Sequence, residues 1–307
     1  MRRQVSVLIT DLDNTLFDWV DAWYRSFSAM LRVLVDQSGI PQDALEREIR
    51  EIHRRHGTSE YAFLLEELLS SLQEQHPNAD IAGLQEPAIQ AYRQARDEHL
   101  ALYPTVSDTL RTIKAQGSVI VGYTESMAFY TGYRLRGLGL DGLIDYLYSP
   151  PDHDLPKGQS AEHTPTRSAT CEVQSTIHRH TPKGAIKPNA AILGSIIHEL
   201  GATPSKVVYV GDSLMKDIAM ANQVGVFSAL AKYGEAQNRQ EYELLRRVSY
   251  WTDEDIAREK EIIFRSTVEP TAYLHRSLAE LLMKFEFVAF DQPATDDSAV
   301  IPSRAEL

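Results

Sequence analysis

Two hydrophobic rhythms alternate along the chain. The first is a short, unbroken apolar run: Val5-Ser6-Val7-Leu8-Ile9-Thr10 is rich in β-branched residues and stops at Asp11-Leu12-Asp13. A run of that length bounded by acids predicts a strand of a parallel sheet, buried on both faces, with carboxylates delivered to its carboxyl end. Similar runs predict strands over 118–122, 143–148, 206–210 and 226–230. The second rhythm has three- and four-residue spacing. Val20, Trp23, Tyr24, Phe27, Met30, Leu31 and Leu34 form one apolar stripe, and further helices are predicted over 42–55, 59–73 and 84–100, punctuated by Gly57, His76-Pro77-Asn78 and Gly83. Beyond residue 102 the two rhythms interleave. Helices are predicted over 106–116, 128–138, 189–200, 241–248 and 253–260, and a last one over 271–285 carries Leu274, Leu278, Leu281, Leu282 and Phe285 on one face.

Strands alternating with helices predict an α/β fold: a Rossmann-like, mostly parallel sheet flanked by helices. Four successive helices after the first strand exceed what one crossover needs, so residues 17–102 are expected to form an inserted all-helical domain. The α/β core is then 1–16 with 103–290, and 291–307 is a frayed tail. Residues 150–184, dominated by Pro, His, Ser and Thr, are expected to be a loop insertion. His153, His163, Cys171, His178 and His180 lie there, but their spacing matches no standard zinc-ligand pattern.

Composition narrows the partners. A net charge of −12 over 307 residues argues against nonspecific binding of a nucleic-acid polymer, which needs a Lys/Arg surplus. It leaves room for a small phosphorylated substrate held by a cation and a lysine or two. The single cysteine permits no intrachain disulfide, which suits a reducing compartment. Met1-Arg2-Arg3 precedes an apolar run that ends too soon, at Asp11, for a signal sequence, and no apolar window is long enough for a membrane span. A cytoplasmic protein is expected; the oligomeric state is not legible.

Chemistry gathers at strand ends and helix starts. Asp11 and Asp13 follow the first strand and can converge on one small volume, inviting a cation. Thr124 follows the second strand; Lys187-Pro188 opens the helix over 189–200, with proline at or near its first position. A lysine there opposes the helix dipole, which a nearby anion would offset. Gly211-Asp212-Ser213 ends another strand, with Asp217 about one helical turn on.

In this order and context the segments Asp11-Leu12-Asp13-Asn14-Thr15, Thr124, Lys187-Pro188 and Gly211-Asp212-Ser213-Leu214-Met215-Lys216-Asp217 resemble the four motifs of the haloacid dehalogenase-like (HAD) hydrolase superfamily, over about residues 5–230. The helical block resembles that family's C1-type cap. The resemblance implies an Mg²⁺-dependent phosphomonoesterase working through an aspartyl-phosphate, such as a nucleotidase or a phosphoglycolate or sugar-phosphate phosphatase. It implies Asp11 as nucleophile and Asp13 as acid/base. Thr124 and Lys187 would bind phosphate. Metal ligands would come from Asp11, Asp13 through its main-chain carbonyl, Asp212 and, directly or at one remove, Asp217. Asp13 favours phosphoryl transfer from an alcohol, since dehalogenases lack this aspartate and P-type ATPases carry Thr at its place. Asn14 replaces the glycine common at that site. A phosphomutase would share every motif, and a binding or regulatory module on the same fold is the third alternative.

Overall fold

The computed structural model describes residues 2–77, 81–152, 172–252, 254 and 268–291. Its centre is a seven-stranded sheet in which every neighbouring pair is parallel. In chain order the strands after a short β1 (Arg3–Val5) are β2 (Val7–Thr10), β3 (Val119–Tyr123), β4 (Tyr146–Ser149), β5 (Ile177–His180), β6 (Val207–Gly211), β7 (Phe227–Ala231), β8 (Ala272–Leu274) and β9 (Phe285–Phe287). The sheet order is β5-β4-β3-β2-β6-β7-β8, and β1 pairs separately with β9. The chain leaves β2 on one side, through β3 to β5, and returns on its other side at β6. That reversal is where open α/β sheets place their ligand crevice.

Alternation along β2 separates two cores. Leu8 packs with Val106, Leu110 and Ile113 of α5 (Val106–Ala115), whereas Val7 and Ile9 pack with Leu193, Ile196 and Ile197 of α7 (Ala190–Glu199). A third apolar cluster lies in the helical layer of α1 (Trp19–Ser38), α2 (Gln42–His56), α3 (Leu64–Gln75) and α4 (Gln85–His99). There Trp23, Phe27 and Leu34 meet Leu45, Ile49 and Leu68. The later helix α9 (Gln240–Val248), which follows α6 (Ala128–Gly137) and α8 (Ala219–Val224), joins this layer instead of the sheet. The imidazole Nδ1 of the buried His53 lies 2.6 Å from the Val248 carbonyl, and Arg247 grips Glu46 at 2.7 Å.

Four expectations need correction. The loop insertion contains β5, an edge strand whose Ile-His-Arg-His sequence shows no apolar run because none of its side chains is fully buried; residues 153–171 lie outside the described residues. The helix expected over 271–285 is replaced by β8, a short helical segment and β9. The capping box of Ser277 with Glu280 starts that segment after β8 has ended. Leu274, Leu278, Leu281 and Phe285 share the same core from three different elements, which mimics a helical stripe. Helix α3 begins at Leu64, not residue 59, so 58–63 form a turn in which the Thr58 hydroxyl accepts from the Glu60 amide at 3.1 Å. Pro188 lies outside α7, whose N-cap is Asn189, its side chain accepting from the Ile192 amide. Of the helix expected over 253–260 only Glu254 is described, and 292–307 also fall outside the described residues.

Candidate active site

Register decides what meets at the sheet edge. Thr10 is level with Gly122 of β3 and Val210 of β6, so the residues just beyond them emerge side by side. Asp11, still tied to β6 through its amide to the Val210 carbonyl at 2.8 Å, therefore stands beside Asp212. The polypeptide after β6 then makes one wide helical turn, Leu214–Ile218, in which the Ser213 carbonyl accepts from both the Asp217 and Ile218 amides. That turn folds Asp217 back over Gly211. A Cβ at residue 211 would sit 2.3 Å from the Asp217 carboxyl carbon, so only glycine permits the return.

Lys187 is buried between these acids, 2.5 Å from Asp11 Oδ1 and 3.0 Å from Asp217 Oδ1. The Tyr209 hydroxyl donates to the same Asp217 oxygen at 2.9 Å, and the Ser213 amide donates to Oδ2 at 3.2 Å. Burial opposes the charge on Lys187, but Asp11 and Asp217 outweigh it and hold the ammonium well above its ordinary range. Burial pushes the Asp11 carboxyl up to about 7; Lys187 pulls it down, and Asp217 and Asp13 add to the rise. Asp212 is likewise pushed well up, first by burial and then by Asp11 and Asp217. Among the described residues no side chain forms an ion pair with Asp212. Carboxylate oxygens of Asp11, Asp212 and Asp217 lie within 4.8 Å of one another. Three hard oxygen donors this close, carrying more negative charge than one lysine offsets, fit a small divalent cation such as Mg²⁺.

Asp13 points elsewhere. Its Oδ2 accepts from the Ser126 hydroxyl at 2.6 Å and more loosely from the Thr124 hydroxyl at 3.4 Å, and its Oδ1 accepts from the Arg134 guanidinium at 3.1 Å. Arg134 projects from α6, and its other terminal nitrogen donates to Glu60, which also receives the Trp19 indole N–H at 3.2 Å. Arg134, Glu60 and Ser126 were not singled out by sequence. The signal that existed was an arginine sharing a helix face with the buried Thr131 and Leu135. On the far side, Glu125 accepts from the Lys187 amide at 2.8 Å and pairs with Lys216 at 2.7 Å. Asn14 adopts a left-handed φ of 56°, and its side-chain oxygen accepts from the Val20 amide at the start of α1. Its own carbonyl lies 1.7 Å from where a Cβ on residue 234 would be, so Gly234 is required beside it.

Asp11, Asp13, Thr124, Lys187, Asp212 and Asp217 thus all line one cleft of about 500 Å³ between the sheet edge and the helical layer. A family model described as haloacid dehalogenase-like hydrolase matches residues 5–225. The chain belongs to the HAD-like hydrolases. The glyceraldehyde 3-phosphate phosphatase of Methanopyrus kandleri is 21% identical over 240 residues, 76% of this chain and 87% of the relative. Among solved structures, a 2-haloacid dehalogenase from Pseudomonas syringae pv. Tomato is 17% identical with a TM-score of 0.50, over 92% of this chain and 98% of its own. A predicted phosphoglycolate phosphatase from Haemophilus somnus is 17% identical with a TM-score of 0.46, over 91% and 97%. The likeness to the dehalogenase structure is one of fold. No helix among the described residues is long and apolar enough to cross a membrane.

Proposed function

We propose that this HAD-like hydrolase is a phosphomonoesterase acting on a small phosphorylated metabolite through an aspartyl-phosphate on Asp11. The observation that carries this is the placement of Asp13: a second carboxyl group lines the same cleft as Asp11 and is oriented by Ser126 and Arg134. A halide leaves without a proton, whereas an alkoxide needs one, so an oriented second acid favours an ester of an alcohol. The phosphatase from Methanopyrus kandleri, 21% identical, supports the same direction.

In this scheme Asp11 attacks phosphorus, and Asp13 protonates the departing oxygen and then takes a proton from the hydrolytic water. Lys187 neutralises phosphoryl charge while holding Asp11 in place, and Thr124 lines the phosphoryl subsite. Asp217, with Oδ1 shared by Lys187 and Tyr209, orients Lys187 and, directly or at one remove, helps hold the cation. Asp11, Asp212 and the Asp13 carbonyl would hold Mg²⁺, which neutralises phosphoryl charge when bound. The helical layer is proposed to act as a cap that excludes water and selects the alcohol.

Phosphate release from a panel of phosphorylated metabolites, with Mg²⁺ and with EDTA, tests the proposal. Metal-dependent release by the wild type, lost in Asp11→Asn, is expected. Folded, Mg²⁺-binding protein that releases no phosphate from any ester would overturn it.

A further inference from the structure

The cleft has a second half that the acids do not explain. It is also lined by Trp19, Tyr242, Leu245, Tyr250 and Trp251. All but Trp19 come from residues beyond 225, where the match to the family ends. The three later rings form a connected group: Tyr242 and Trp251 have centroids 5.8 Å apart at 37°, and Tyr250 meets Trp251 edge-on at 6.2 Å. This wall is anchored to the helical layer, because α9 is held there by His53, by Glu46 through Arg247, and by Asp18 through Arg239 at 2.5 Å. Ile186, also lining the cleft, is 66% exposed.

Charge points the same way. The lining cations among the described residues are Lys187 and Lys216, and both are engaged, Lys187 by Asp11 and Asp217 and Lys216 by Glu125. Glu60 faces the same space, its charge matched by Arg134. Among the described residues, the cleft beyond the phosphoryl subsite therefore offers aromatic surface and no cation that is not already paired.

We infer that the alcohol half of the substrate carries a planar aromatic group, and that Tyr250 and Trp251 bind it, with the buried Tyr242 packed against Trp251. This rests on the phosphatase reading and adds the substrate class to it. The class includes phosphate esters of nucleosides and of other aromatic alcohols. Ring-on-ring contact tolerates any flat π-face, so selection is by shape more than by hydrogen bonding.

The test compares kcat/KM for phosphate release from two aromatic esters, phenyl phosphate and a nucleoside monophosphate, with that from glycerol phosphate and phosphoglycolate. Wild type, Trp251→Ala, Trp251→Phe and Tyr250→Leu are assayed with Mg²⁺. The wild type is expected to favour the aromatic esters by about tenfold or more, the scale of one stacked ring. Trp251→Ala should lower that ratio mainly through KM, and Trp251→Phe should restore it. Tyr250→Leu gives an independent reading should Trp251→Ala fold poorly. A wild type that prefers the small or doubly anionic esters, or variants that leave the ratio unchanged, would overturn the inference while leaving the phosphatase intact. Absence of turnover on these four esters and on the wider panel would remove both; turnover of some other, non-aromatic ester of the panel, lost in Asp11→Asn, would keep the phosphatase and overturn the inference.

Discussion

Arg134→Met removes the guanidinium that Asp13 and Glu60 share. The three side chains are 9%, 20% and 11% exposed, so little water can take over the lost hydrogen bonds. Taking one partner from a buried ion pair costs about 3–5 kcal/mol, because the surviving charge stays desolvated. Here two carboxylates survive, which sets the expectation at the upper end of that range; Asp13 retains the Ser126 hydroxyl and Glu60 the Trp19 indole as partial relief. Urea denaturation read by tryptophan fluorescence measures the loss. Glu60→Leu in the Arg134→Met background should recover part of it by removing one of the stranded charges. Activity should suffer separately. On the acid/base role proposed for Asp13, loss of its Oδ1 anchor should lower kcat by on the order of a hundredfold, the scale of an ångström's misplacement, with KM much less affected. Loss of under about 1 kcal/mol with kcat unchanged would refute the reasoning.

Three further outcomes follow from the geometry. Burial pushes His53 down to about 4 from an ordinary 6.5, so the unfolded chain takes up a proton before the folded one does; stability should fall as pH drops from about 6.5 to about 4, by about 3 kcal/mol for this group, and His53→Gln should flatten that segment of the stability–pH curve. Gly211→Ala places a Cβ 2.3 Å from the Asp217 carboxyl carbon and should cost about 1–3 kcal/mol in chemical denaturation, with weaker Mg²⁺ binding by calorimetry. Mg²⁺ at a hundredfold excess over Kd should stabilise the wild type by about 2.7 kcal/mol and Asp212→Asn far less; since protons compete for Asp11, which burial pushes up to about 7, Mg²⁺ affinity should rise as pH increases through that value.

Short-range pattern carried much of the α/β core. The runs that became β2, β3 and β6 are apolar on both faces because helices cover both sides of the sheet, and such burial leaves no polar alternation to misread. The strand ends announced Asp11, Thr124 and Asp212, and parallel register brings them to one edge. Where burial was partial the pattern failed. Edge strand β5 has no fully buried residue, and the C-terminal leucines mimic a helix because separate elements converge on one core.

What the sequence alone determined was therefore the α/β alternation, the helical block, and the identity of the acids, threonine and lysine at the sheet edge, since each is encoded within one element and its immediate flank. Tertiary structure decided the rest. Arg134 reaches Asp13 across 121 positions and Glu60 across 74, and His53 reaches Val248 across 195. The aromatic wall exists only because α9 packs on the helical layer and turns Tyr242 and Trp251 toward the cleft. Periodicity reports which face of an element is buried; which partner covers that face depends on how separate elements pack, and a residue's own neighbours in sequence carry no record of it.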